Sequence, residues 1–409
     1  MILELLALLA VVALLYALAN RTPHVASDFV NGRPGSKPER YPRAKWPYGG
    51  VRGLAAFFTF WVESILSCGA PIVFWVKPWW TLDRMGRYDG KVVLVTGGAG
   101  GIGYSTAKAW FDAGAKVYIA ARSEARANAA IDNILRGGEP NLFFKWEYAS
   151  PAPVRSAADR ARLVFVHLDL EDLASVDAAA AQLIAAEPHL DVLYANAGQM
   201  ALPPGAYTRQ GVSMQFGVNT LGHARLYKHL IPLLQAATRA HPEDPARLLT
   251  ITSLNHLSAP IGGVKYESLR RPGAQVDLWQ EYAMSKWANI ALAKWVHWHY
   301  GGAGADGEII SIAVHPGMAA SNIWKHLPEA GRFEANPWLM RLINFTQAEG
   351  ALNQVWVGQL PVKEARALSG EYVTCYMRKG THRADLNDRE AVEGLWKWCQ
   401  DQTLGVEGE

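Results

Sequence analysis

Tyr282 and Lys286 stand four residues apart in a stretch whose apolar spacing predicts a helix over 281–300. At that spacing two side chains share one face of a helix. A free phenol titrates near pH 10. A neighbouring ammonium stabilises the phenolate and draws that value down. A phenol so tuned can act as general acid when a carbonyl is reduced, or as general base when an alcohol is oxidised. Taken alone, the spacing more often marks a surface pair. Ser253 shifts the balance, because it ends an apolar run read as a strand, at the carboxyl edge where parallel α/β sheets bind ligands. A hydroxyl there can hydrogen-bond a substrate oxygen. Thr252 and Ser258 are the alternatives. The interval 255–281, with Pro260, Gly262, Gly263 and Pro272, reads as an insertion beside the substrate.

A second constellation lies far upstream. The short apolar run Lys91–Thr96 has the character of a strand buried on both faces. Gly97-Gly98-Ala99-Gly100-Gly101-Ile102-Gly103 follows, then a helical pattern to about Ala113, a stop at Gly114 and another strand over Lys116–Ala121. A glycine run alone often marks only a loop; between a strand and a helix it marks a candidate phosphate site. Glycines let the backbone approach a pyrophosphate, and the helix N-terminus offers free N–H groups and a positive dipole end. The second strand ends Ala120-Ala121-Arg122-Ser123. A carboxylate in that turn would bind the ribose 2′-hydroxyl of NAD, whereas an arginine accommodates the 2′-phosphate of NADP. With Arg122 in that turn, NADP(H) is expected. Glu124, further along, suits the dipole of the next helix.

These groups need a scaffold, and the alternation supplies one. Further strands are predicted over 163–168, 192–195, 248–252, 309–315 and 371–376. Helical patterns lie between them, at 173–186, 222–237 and 347–360. Strands alternating with helices imply an α/β fold with a doubly wound parallel sheet. The span 137–161, rich in Gly, Pro and aromatics (Phe143, Phe144, Trp146, Tyr148), breaks the rhythm and reads as an inserted surface loop.

Six motifs occur in order: Thr96-Gly97 with Gly101 and Gly103, Asn196-Ala197-Gly198, Asn219, Ser253, Tyr282-x-x-x-Lys286, and Pro316-Gly317. Together they resemble the short-chain dehydrogenase/reductase family over about residues 88–380. Leu168-Asp169-Leu170, Val218-Asn219-Thr220-Leu221-Gly222-His223, and His315-Pro316-Gly317 with Ser321 are similar to its retinol dehydrogenase-like branch, fungal-type members included. The resemblance implies a Rossmann domain with Tyr282, Lys286, Ser253 and Asn219 as catalytic residues. Asn219 would support a water-linked proton path, and Lys286 would also hold the nicotinamide ribose. Cofactor contacts would come from Thr96, Gly97, Gly101, Ile102, Gly103, Arg122, Asp169, Asn196, Gly198, Tyr282, Lys286, Pro316 and Gly317. Asp169 would touch the adenine; its other reading is a helix N-terminal residue before Leu173. Residues 318–346, with Trp324, Phe333, Trp338 and Met340, would form a substrate lid, apolar enough to suit a lipophilic substrate. In this family the helix after the lysine often forms a dimer face, so a homodimer is an expectation. The aromatics along Trp295–Tyr300 would pack a helix interface or face lipid.

Composition bounds the rest. Of 409 residues only 19% are charged, against about 25% in an ordinary soluble domain, and 16 are Trp. That combination excludes disorder for most of the chain. The net charge of +3 is too small for a nucleic-acid footprint. The odd cysteine count, Cys68, Cys375 and Cys399, excludes a disulfide framework and suits a reducing compartment. The histidines offer no metal-type spacing. Residues 1–20 read as a transmembrane anchor: Ile2–Ala19 is an apolar run with Glu4 as its one charge, just long enough to span a bilayer, with no basic n-region of a signal peptide. A basic Pro/Gly linker, 21–52, follows; by the positive-inside rule it faces the cytosol. A second hydrophobic segment, 53–87, is interrupted by Glu63, Pro71 and glycines. It reads as an interfacial or re-entrant hairpin, a second span or a hydrophobic cap on the enzyme. Residues 381–409 read as a polar tail apart from Leu395, Trp396 and Trp398. The sequons at Asn20 and Asn344 read as chance matches in a cytosolic chain.

The reading is therefore a membrane-anchored NADP(H)-dependent oxidoreductase. It would interconvert a carbonyl and an alcohol on a retinoid, steroid, sterol or fatty aldehyde, at the endoplasmic reticulum or a lipid droplet, with its catalytic domain facing the cytosol. A nucleotide-binding membrane or lipid-droplet scaffold with little turnover is the alternative.

Overall fold

The computed structural model describes residues 78–138, 156–202, 205–270, 278–319 and 345–402. The expected anchor, the linker, the segment 53–77, the aromatics of the insert and most of the lid lie outside them. Among the described residues no helix is long and apolar enough to cross a membrane.

The strands are β1 (Val92–Thr96), β2 (Lys116–Ala121), β3 (Leu163–His167), β4 (Val192–Ala195), β5 (Ala246–Ile251), β6 (Ile309–Val314), β7 (Tyr372–Thr374) and β8 (Arg378–Lys379). They form one sheet in the order β3-β2-β1-β4-β5-β6-β7-β8. All neighbours are parallel except β7 and β8. In β1, Val92 and Leu94 enter the core on one face while Val93 and Val95 enter it on the other. That two-sided burial is why the run is apolar without alternation.

The main helices are α1 (Gly101–Asp112), α2 (Glu124–Leu135), α3 (Leu173–Ala186), α4 (Gly222–Ala240), α5 (Leu278–Tyr300), α6 (Gln347–Gln359) and α7 (Arg389–Asp401). Trp110, Ile131 and Val355 bring α1, α2 and α6 onto one face of the sheet. Val176, Leu230 and Trp287 bring α3, α4 and α5 onto the other. The chain winds outward from β1 to β3, then crosses back to place β4 on the other flank of β1. The reversal opens a crevice at the carboxyl ends of β1 and β4, where such sheets hold ligands.

Two parts differ from the sequence reading. The segment after Arg378 does not trail off as a polar tail. Val392, Leu395 and Cys399 form the buried stripe of an amphipathic helix, α7, which packs on α4 and α5. The Trp396 ring stacks on Trp295 at 3.7 Å with 13° between planes, and the Trp295 indole donates to Glu393 at 2.8 Å. The aromatic end of α5 is thus covered by the chain's own C-terminus. The insertion after Ser253 differs only in its middle: Asn255 and Trp279, near its two ends, line the crevice. Between them Leu269 is buried in the core and Tyr266 packs against Trp398, so apolar burial draws that part of the segment toward α7. Upstream, Trp80 is buried against the α1/α6 face and Trp79 meets Trp356 edge-on, so residues 78–88 cap the domain.

Candidate active site

The crevice is a cavity of about 540 Å³, within the usual range of small-molecule sites. At one end lies the glycine turn. Gly97 and Gly101 have φ of +68° and +58°, which only glycine adopts freely. A Cβ on Gly103 would stand 2.4 Å from the carbonyl oxygen of Gly97, so α1 can approach β1 only without a side chain there. The N-cap of α1 is Gly100, which offers no side-chain acceptor, so the first N–H groups of the helix are left for a ligand. Gly97, Gly101, Ile102 and Gly103 all line the cavity, joined by Arg122, Asp169, Asn196, Gly198, Pro316 and Gly317. This cradle fits a dinucleotide pyrophosphate.

Thr96 is placed elsewhere. It is fully buried, and its hydroxyl accepts from the N–H groups of Asn196 and Ala197, each at 2.9 Å. The same oxygen lies 2.9 Å from Nε2 of His223, whose Nδ1 is 3.1 Å from the main-chain oxygen of Asn219. That carbonyl can only accept, so Nδ1 carries the proton and the Thr96 hydroxyl donates to Nε2. Burial pushes the His223 imidazole down to about 4, which keeps it in this neutral tautomer. Thr96 therefore ties β1, β4 and α4 together behind the crevice, and His223 is a supporting residue that motif reading missed.

Asp169 lines the cavity, and its carboxylate accepts from the Glu171 N–H at 3.1 Å. The helix-capping duty before Leu173 belongs to Asp172, which accepts from Ala174 N–H at 3.1 Å. Arg122 faces the cavity but is ion-paired with Glu171, which also accepts from Gln199 at 3.0 Å. Arg126, in the first turn of α2, lines the same wall and was not singled out by sequence reading.

At the other end α5 presents Trp279, Tyr282 and Lys286 on one stripe, because the helix begins a turn earlier than the sequence suggested. Ser253 hydrogen-bonds the Tyr282 phenol. Thr252 is taken up by the fold, donating to the Lys286 carbonyl at 2.7 Å, and Ser258 does not line the cavity. Lys286 donates to the carbonyl of Ile251 at 3.2 Å and lies 5.5 Å from the centre of the Tyr282 ring. Asn219 sits in a π-helical turn, Gly217–Leu221, that leads into α4. Its amide donates to Ser285 at 3.0 Å and to the Gln199 carbonyl at 2.9 Å, and its oxygen accepts from the Gln199 N–H at 2.7 Å. A Cβ on Gly198 would lie 3.2 Å from that oxygen and 3.5 Å from the Lys286 ammonium.

The electrostatics correct one expectation. Burial pushes the Tyr282 phenol up to about 12, against the lowering that a neighbouring ammonium was expected to cause; the Ser253 hydrogen bond opposes the shift without cancelling it. Burial also draws Lys286 down to about 8. The ammonium is spent on the Ile251 carbonyl rather than on the phenol, so desolvation of the phenolate dominates. In this state Tyr282 is a neutral acid ready to donate.

A doubly wound sheet, a glycine cradle at its switch point and a tyrosine–lysine–serine set at the far end define a dinucleotide-dependent oxidoreductase. A family model described as short chain dehydrogenase matches residues 91–162. A short-chain dehydrogenase/reductase of Armillaria gallica is 33% identical over 329 residues, covering 80% of this chain and 94% of its own. An uncharacterized oxidoreductase of Schizosaccharomyces pombe is 30% identical over 327 residues, covering 78% and 87%. A putative uncharacterized protein from Mycobacterium paratuberculosis shares the fold, with a TM-score of 0.56 at 23% identity, over 79% of this chain and 97% of that one. The chain belongs to the short-chain dehydrogenase/reductase family, whose members are oxidoreductases that bind a nicotinamide cofactor.

Proposed function

We propose that the protein uses NADP(H) to interconvert a carbonyl and an alcohol on a lipophilic molecule such as a retinoid, steroid, sterol or fatty aldehyde. The observation that carries this reading is the wall around the phenol: Met200, Leu254, Trp279 and Met318 line the same cavity as Ser253 and Tyr282. An apolar wall beside two hydroxyls suits a greasy substrate with one oxygen to hold. Bound NADP(H) would supply or accept the hydride. Ser253 would hydrogen-bond the substrate oxygen, and Tyr282 would give it a proton during reduction or remove one during oxidation. Lys286 lies close enough to share the resulting charge, and Asn219 holds the wall that a proton path would follow. Arg122 and Arg126 at the far end support NADP(H) over NAD(H). Residues 1–20 would hold the enzyme on a membrane of the endoplasmic reticulum or a lipid droplet, with the described domain in the cytosol.

The test is turnover by the full chain, purified in detergent, with NADPH or NADH against decanal, retinal and a ketosteroid. NADPH-dependent reduction of at least one, with NADH at least 10-fold poorer, is expected. Folded protein that binds NADPH and reduces none would support a scaffold instead. Alkaline carbonate extraction and protease protection of intact membranes check anchoring and orientation.

A further inference from the structure

Glu281, beside the proposed acid on α5, does not line the cavity, yet it is partly buried and heavily hydrogen-bonded. Its carboxylate accepts from the Ser213 hydroxyl and, at 3.2 Å, from the Gln215 N–H. The Phe216 N–H and the Gln215 side chain donate to it as well. These donors belong to the N-cap, Ser213, and the first turn, Met214–Phe216, of the helical stretch that continues into α4. Ser213 occupies the N-cap position of that turn but makes no cap bond of its own. The free N–H groups are closed instead by a carboxylate from another helix. Such a carboxylate suits the positive end of the helix.

The chain of contacts continues into the cavity wall. Gln215 is 1% exposed, and its side-chain oxygen accepts from the Ala201 N–H at 2.8 Å. Its amide nitrogen is then the group that donates to Glu281. Ala201 has φ of +54°, a conformation a non-glycine residue holds only when its surroundings impose it. One turn further on, Asn219 holds both main-chain groups of Gln199. The stretch 199–201 is therefore pinned by two side chains of one helical stretch. Met200 and Ala201 in turn pack against Tyr282.

We infer that Glu281 is a positioning residue: it locks the start of the Asn219-bearing helix to the Tyr282-bearing helix, and through Gln215 it sets the distance between the wall 199–201 and the phenol. This rests on the proposed role of Tyr282, but the link can be read without turnover. In the full chain with NADPH present, Glu281→Ala and Gln215→Leu should each speed hydrogen exchange in peptides covering 199–202 by at least 10-fold. Peptides covering 97–103 should stay within twofold. In steady-state reduction of decanal, both variants should raise KM several-fold while NADPH affinity stays within twofold. Glu281→Gln keeps an acceptor oxygen at the same volume and should restore most of the protection.

Unchanged exchange at 199–202 in a folded variant would overturn the inference. So would a uniform rise across all peptides, which would mark a merely structural role, or loosening of 199–202 with KM unaltered. If Glu281→Ala does not fold, Gln215→Leu decides. If the wild-type chain reduces no carbonyl, the functional reading fails and exchange alone decides the Glu281 link.

Discussion

Lys286 gives its hydrogen bond to the main-chain oxygen of Ile251, 3.2 Å away, and not to the phenol it was expected to activate. Burial holds its pKa at about 8, below the 10.5 of a free lysine. Between those values the unfolded chain binds a proton that the folded chain has released, so stability rises with pH across that window. The effect is of the order of 3 kcal/mol at full extent, and it is absent below about pH 8, where both states are protonated. Cofactor-free wild-type protein should therefore gain stability from pH 8 to 10 relative to Lys286→Met. Urea unfolding at several pH values measures it; parallel curves for the two proteins would refute it.

Tyr282→Phe should lower the rate of NADPH oxidation by about 100- to 10,000-fold, the usual worth of a positioned acid. Cofactor affinity should change by only a few-fold, since the glycine cradle is untouched. Ser253→Ala should cost less, because the phenol remains to protonate the product. Single-turnover absorbance and NADPH fluorescence titration separate the two effects.

Gly103→Ala should abolish cofactor binding and destabilise the domain by about 1–3 kcal/mol. Its Cβ would stand 2.4 Å from the Gly97 carbonyl and 2.6 Å from the Asn196 amide, neither of which can move without opening the crevice. Gly114→Ala is the control. It strains a φ of +106° and meets the Asp89 side chain, well away from the cavity. Thermal unfolding with and without NADPH should show the ligand shift lost only in the first variant.

Arg126→Ala should weaken NADPH about 10- to 100-fold and leave NADH nearly unchanged, the value of one charge-assisted hydrogen bond. Glu171→Gln should act oppositely. It frees the Arg122 guanidinium from its carboxylate partner and should tighten NADPH several-fold. Competitive titration of the two cofactors measures both. A Glu171→Gln variant with weaker NADPH binding would show that the ion pair presents Arg122 rather than occupying it.

Thr96→Val leaves the N–H groups of Asn196 and Ala197 and the Nε2 of His223 without their shared partner. A loss of about 1–3 kcal/mol is expected, as for a buried group left unsatisfied. Denaturant midpoints check it, and a wild-type midpoint would rule out the bridging role.

The alternation of short apolar runs with helical patterns was enough to read β2, β4 and α3 to the residue. Burial on one or both faces writes its period directly into the chain. Glycine positions were legible for a similar reason: positive φ and close approach exclude side chains wherever they occur. Partnerships across the fold were not legible, because no local pattern encodes which distant group a side chain meets. Thr96 belongs to a motif, yet folding turns it inward onto β4 and His223. Arg122 was expected on the 2′-phosphate, and the loop after β3 brings Glu171 against it. Trp396 and Leu395 passed as exceptions in a polar tail until α5 offered them an apolar face. The amino-acid order by itself determined strands β1 to β7, helices α1 and α3 to α6, and the residue types at the crevice. Tertiary structure decided the proton affinities of Tyr282 and Lys286, since only burial, which depends on the whole fold, sets the cost of an ion.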